Sequence, residues 1–76
     1  MSRLTPQSYK TLVKIFELDG FSVSRTEGSH IIMSKPEVDR PIVIPTYNEV
    51  GVDIIKANMR SAGMSRERYF ELLNSI

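Results

Sequence analysis

FSVSRTEGSHIIMSK, residues 21–35, decides how this chain folds. Phe21, Val23 and Arg25 alternate with Ser22, Ser24 and Thr26, the period of two expected of a half-buried strand over 21–26. EGS, residues 27–29, supplies a short turn, and HIIMSK, residues 30–35, reads as the return strand of a hairpin. The only histidine in the chain, His30, therefore stands at a strand start, directly after a glycine and a serine. A histidine so placed can be a filler, a metal ligand or a proton carrier.

The flanking sequence supplies helices and one more strand. Upstream, Thr5 is a suitable N-cap and Pro6 suits the first helical position, where its missing N–H costs nothing. Tyr9, Leu12, Val13 and Phe16 then recur at helical spacing, and Gly20 stops the helix as the residue after its C-cap. Downstream, PEVDR (36–40) reads as a loop and PIVIP (41–45) as a third strand. Its two prolines predict a length of about 4–5 residues and an edge position. A second helix is expected from Asn48, with Glu49 in its first turn, to Gly63. Val50, Ile54 and Ala57 offer it one apolar face, and Ile55, Met59 and Ala62 an adjoining one. Ser65 caps a last helix, Met64 can staple onto Tyr69, and Phe70, Leu73 and Ile76 complete its buried face.

The order α-β-β-β-α with a short terminal helix predicts an α+β fold. Three antiparallel strands would carry helices packed on one face, the order found in double-stranded-RNA-binding domains. Seventy-six residues make one domain, 1–76, with no room for a second core. A chain this short buries only ~60% of its unfolded surface, so its stability margin is thin.

Composition excludes more than it assigns. Hydrophobic residues are 41% and charged residues 25%, ordinary for a globular protein. The absence of cysteine excludes disulfides and thiolate zinc sites and favours the reducing cytosol, so a cytoplasmic location is expected. MSRLTPQSYK at the start has no apolar stretch, so no signal peptide is expected there, and no run approaches the ~20 residues of a membrane span. Ten basic and nine acidic side chains leave a net charge of +1, not the bulk basicity of a nucleic-acid coat. Arg25, Lys35 and Arg40 nevertheless fall close to the histidine segment and could form a local patch.

No GxxxxGK phosphate loop, GxSxG elbow or histidine–cysteine cluster is present, and Glu27, Glu37, Asp39 and Asp53 are scattered. His30 is what remains. An imidazole can take or give a proton near neutral pH, yet spacing alone favours a turn histidine that pairs across the hairpin. Gly28 reads as a turn residue with positive φ, and Ser29 as one that hydrogen-bonds backbone. Arg25, Lys35 and Arg40 read as a solvated rim, from which one or two can contact phosphate. Tyr47 is the one aromatic outside a core stripe, where stacking on a base is conceivable.

DGFSVSRTEGSHIIM resembles the signature of the HicA (YcfA-like) toxin family, in which a GF strand leads through an arginine and a GSH triplet into an apolar strand. KPEVDRPIVIP resembles the family's loop and V-P strand, and DIIKANMRSAGMSRERYFELL its ending, so the likeness runs from about Ser8 to Leu73. The resemblance implies the toxin of a type II toxin–antitoxin pair, an endoribonuclease cleaving messenger RNA on a double-stranded-RNA-binding-like fold. It maps the catalytic histidine onto His30, with Gly28 and Ser29 completing the motif. It implies a HicB-like antitoxin as partner and no DNA binding outside the complex with that antitoxin; no cofactor or metal is expected, because no carboxylate or thiolate cluster is present to hold one. In one respect the chain departs from the pattern: members commonly carry a second histidine after V-P, and IPTYNEVG places Tyr47 there. A phenol donates a proton more readily than it accepts one at neutral pH, so any assisting role of that position differs here.

Two functions follow. An RNA-cleaving toxin needs a base, an acid and cationic stabilisation, because RNA carries its own nucleophile in the 2′-OH. A non-catalytic RNA-binding or partner-docking module on the same fold needs none of these.

Overall fold

A computed structural model describes residues 3–76. The first two residues of the N-terminal stretch read above lie outside it. The order is α1 (Tyr9–Leu18), β1 (Ser22–Glu27), β2 (His30–Lys35), β3 (Val38–Pro45), α2 (Val52–Ala62) and α3 (Arg66–Leu73). The strands form one antiparallel sheet in the order β1-β2-β3, so the expected α-β-β-β-α architecture is the one observed.

Helix α1 begins later than Thr5 and Pro6 suggest. Ser8 is its N-cap, and its hydroxyl accepts from the Thr11 N–H at 3.3 Å. The reason is tertiary: Gln7 forms an isolated antiparallel bridge with Val50, which keeps both segments extended. The same bridge delays α2. Val50 is fully buried, the chain turns helical only after Gly51, and Asp53 rather than Glu49 occupies the first turn. Gly63 closes α2 in the left-handed region at φ 66°, and the Ser65 hydroxyl caps α3 by accepting from Arg68 N–H, both as expected.

The sheet departs from expectation at both edges. No residue of β1 is buried; only Phe21, just before it, enters the core at 3% exposure. The helical layer explains this, because α2 packs on β3 and α1 on α3 and β3, which leaves β1 overhanging. Glu27 joins β1, and the turn shortens to Gly28–Ser29 with Glu27 paired to His30. On the other edge β3 is eight residues long, not four or five. Val38–Arg40 belong to it, since Lys35 pairs with Val38 across a two-residue turn. Pro41 is tolerated because Asp39, Arg40 and Pro41 together stand opposite Ser34 in a bulge of this edge strand, where no ladder N–H is required. A matching irregularity in β1 leaves Ser24 extra, and its hydroxyl bonds that of Ser34.

The core lies between sheet and helices. Leu12, Ile15 and Phe16 of α1 meet Met33, Ile42 and Ile44 of the sheet, Ile55, Met59 and Ala62 of α2, and Tyr69 and Leu72 of α3. In α2 the Ile55–Met59–Ala62 face is therefore the buried one, and Ala57 is exposed. Phe70 and Leu73 are only half-buried, while Ile76 at 56% exposure contributes nothing.

Two buried residues, Asn58 of α2 through its Nδ2 and Tyr69 of α3, carry a polar burden. The Tyr69 hydroxyl is buried without a hydrogen-bond partner among the described residues, and burial raises its pKa above the ordinary 10.0. Above about pH 10 the unfolded chain therefore releases a proton that the folded chain keeps, so stability falls as pH rises through this range. Tyr69→Phe is expected to be neutral or slightly stabilising near pH 7, since an unpaired buried hydroxyl earns no net stability. The variant should also lose stability less steeply under alkali. Urea midpoints of both proteins at about pH 7 and about pH 10.5 check this; equal alkaline losses would refute it.

Candidate functional site

The hairpin turn is built by Gly28, at φ 58°, followed by Ser29 without positive φ. That is the pattern of a type II′ turn, whose backbone twist matches the strands it joins. A Cβ at Gly28 would meet nothing within 4 Å, so conformation rather than crowding requires the glycine. The turn sets the row Glu27–His30–Pro45 across all three strands. Side chains directly opposite in a sheet share a face. Ile31 packs against the core, so His30 takes the other, helix-free face, where it is exposed. The next row on that face is Arg25–Ile32–Val43. Ile32 is 9% exposed and lies outside the main core, flanked by the Arg25 and Val43 strands.

The end of β3 closes on the turn. The Ser29 carbonyl accepts from both the Thr46 N–H at 2.8 Å and the Thr46 hydroxyl at 3.1 Å. Tyr47 N–H donates to the Pro45 carbonyl at 2.8 Å, an i to i+2 bond that bends the chain about Thr46. The Tyr47 carbonyl accepts from Tyr9 N–H at 3.0 Å. Ser29, His30, Pro45, Thr46, Tyr47 and the start of α1 are thus linked through backbone at one end of the sheet.

Of the three basic residues singled out from sequence, this end of the sheet holds one. Arg25 lies one row from His30 on the same face, with its Nε 2.6 Å from Glu27 Oε2. Lys35 is five residues along β2 from His30, roughly 16 Å away at strand rise. There it lies 4.0 Å from Asp19 and over the Phe21 ring, and Asp19 also accepts from Arg68 Nε at 3.2 Å. Arg40 sits in the β3 bulge at that far end. Nearness in sequence misled here because the hairpins carry Lys35 and Arg40 away from the turn.

Glu27 and Thr46 are the neighbours that the sequence reading passed over. A two-residue Gly-Ser turn implies Glu27 opposite His30, so that signal was present. Thr46 had none, since its position depends on the β2–β3 register. Among the described residues no three His, Cys, Asp or Glu side chains gather where they could hold a metal ion. None of the described helices is long and apolar enough to cross a membrane.

The protein is thus a double-stranded-RNA-binding-like sandwich with a lone histidine on the bare face of its sheet. Residues 9–64 match the model of the family described as HicA toxin of bacterial toxin-antitoxin, and the chain belongs to that family. It is a toxin of the toxin–antitoxin kind, which implies an antitoxin partner. The match takes in α1, the sheet with the GSH turn, and α2; α3 lies beyond it. No curated protein matches the chain.

The Thr46 hydroxyl is the only side-chain group bonded to the turn that precedes His30 among the described hydrogen bonds. Thr46→Val keeps the shape and the backbone bond but removes the hydroxyl. It should cost about 1 kcal/mol and hasten exchange of the Thr46 amide, whereas Thr46→Ser should retain most of both. Denaturation and amide-exchange measurements on the two variants test this; indistinguishable behaviour would show that the hydroxyl bond holds nothing.

Proposed function

We propose that the chain is a metal-independent endoribonuclease that cleaves messenger RNA, with His30 as its proton carrier, and that a HicB-like antitoxin inhibits it. The observation that carries this reading is the exposure of the only imidazole on the helix-free face, one row from Arg25. RNA supplies the nucleophile. The imidazole takes the proton of a 2′-OH as that oxygen attacks the adjacent phosphorus. The P–O5′ bond then breaks and the proton passes from the imidazolium to O5′. The products are a 2′,3′-cyclic phosphate and a 5′-hydroxyl, and atoms balance without an external reagent.

Arg25 is the cation placed to neutralise the crowded phosphate. Its pairing with Glu27 does not forbid this, because both side chains are well exposed and such pairs are worth only ~0–1 kcal/mol. A phosphate, which accepts the guanidinium in a bidentate fashion, competes with a carboxylate held that weakly. Gly28 and Ser29 act through the turn that aims His30. Lys35 and Arg40, at the far end of the sheet, can meet only phosphates distant from the scissile one. An antitoxin laid over the His30 end would block access of RNA and so silence the toxin.

Expression of the wild-type chain should arrest growth, and His30→Ala and His30→Gln should both relieve it. In vitro, each variant should lose roughly 10²–10⁴ in RNA cleavage rate. Both should stay folded, within about 1 kcal/mol of wild type, because the exposed imidazole buries no core surface. Cleavage by the wild type should persist in EDTA. The glutamine variant is the sharper probe, since it keeps a polar side chain of similar reach that cannot shuttle protons. A folded His30→Gln variant cutting RNA at the wild-type rate would falsify the proton-carrier role. A wild-type chain that binds RNA without cutting it would leave the non-catalytic module as the function.

A further inference from the structure

We infer that the Tyr47 ring is a stacking platform for an unpaired base beside the scissile phosphate, so that the site takes single-stranded RNA. The inference rests on the RNA-cleaving reading for its ligand, and on the geometry of Tyr47 for everything else.

Three observations carry it. First, Tyr47 is the one aromatic among the exposed large hydrophobic residues, at 51% exposure. Phe16, Phe21 and Tyr69 are in the core, Tyr9 packs against it, and Phe70 meets the edge of Tyr69 and the guanidinium of Arg66. The Tyr47 ring has no aromatic or cationic neighbour and its hydroxyl no hydrogen bond among the described residues.

Second, the backbone beneath the ring is fixed at both polar groups. Its N–H donates to Pro45 and its carbonyl accepts from Tyr9, while the preceding Thr46 is tied to Ser29 by two bonds. A large ring on an anchored backbone has only two side-chain torsions left to lose on contact, so little entropy opposes binding. An exposed tyrosine on a loose loop would not have this property.

Third, the position is right. Pro45 is the cross-strand partner of His30, about 5 Å away between Cα atoms. Tyr47 follows two residues later on a chain bent about Thr46, which puts it at the His30 end of the sheet, where a nucleotide adjoining the phosphate at His30 would lie.

The chemistry then selects the form of RNA. Every base has a π-face, so stacking tolerates any sequence, but the face must be free. In an A-form duplex the bases are already stacked and paired, whereas a loop or single strand can splay one out. Although the fold shares its element order with duplex binders, Tyr47 suits an unpaired strand. The phenol is assigned no proton transfer: the ring, not the hydroxyl, is the working part.

The test measures binding without cleavage, in the full chain carrying His30→Gln, with a short RNA containing 2-aminopurine as the probe. Tyr47→Phe, Tyr47→Leu and Tyr47→Ala are added in turn. The Tyr47→Phe protein should bind the single strand roughly 5–100-fold more tightly than the Tyr47→Ala protein. It should also quench the probe, and the Leu and Ala variants should not. Preference for single strand over a hairpin duplex should collapse in the Ala variant. Equal affinities of the Phe and Ala variants would overturn the stacking role alone, whichever way cleavage by the native chain turns out. Absence of RNA binding by any of the proteins, the native chain included, would overturn both the stacking role and the RNA-cleaving reading.

Discussion

Burial of Met33 against Ile42 and the helices fixes the face taken by every other side chain of β2. A strand alternates faces strictly, so a slip of one residue would send His30 into the core and Ile31 and Met33 into water. Each apolar side chain so exposed would forfeit roughly 1.5–3 kcal/mol, a large part of what so small a domain has. The apolar pattern Ile31–Met33 on β2 and Ile42–Ile44 on β3 therefore does more than build a core. It holds the imidazole on the bare face, and the II′ turn at Gly28–Ser29 locks the same register from the other side.

The central hairpin was legible in the sequence because its signals are local and agree with one another. HIIMSK is a strand with the predicted bounds, and Gly63 and Ser65 end and begin helices as their chemistry requires. The misread boundaries share a cause. Thr5-Pro6 and Asn48-Glu49 are sound capping signals, but Gln7 and Val50 pair with each other and hold both segments extended. A bridge between residues so far apart leaves no local mark. Likewise the alternation of Phe21, Val23 and Arg25 suggests a half-buried strand, yet burial of β1 depends on how far the helices reach across the sheet. The start of β2 at His30 could be read because Gly28 and Ser29 are turn residues, although the turn holds these two and not the three of EGS. The dispersal of Lys35 and Arg40 could not, because it follows from hairpin geometry over a bulge.

Charge is divided in the same way as hydrophobicity. At the far end of the sheet, Asp19 gathers Lys35 and Arg68, ties β2 to α3, and spends those cations on structure. At the His30 end Arg25 stands one row away on the same face, in an exposed pair with Glu27. On the proposed reading, a net charge of +1 suffices, because one guanidinium meets the reacting phosphate and a base face supplies the rest of the attraction.

This division matters more in a small domain than in a large one. With a thin stability margin, a site built from core side chains could not change without unfolding the protein. Here His30 and Arg25 stand on the bare face and Tyr47 just beyond the end of β3, while Met33, Ile42 and Ile44 bear the packing on the opposite face. What the two share is backbone: the Ser29 carbonyl under Thr46, and the Tyr47 amide and carbonyl between Pro45 and Tyr9. Side chains at positions 30 and 47 can therefore vary with little cost to folding, while the turn that carries one and the bend that carries the other cannot.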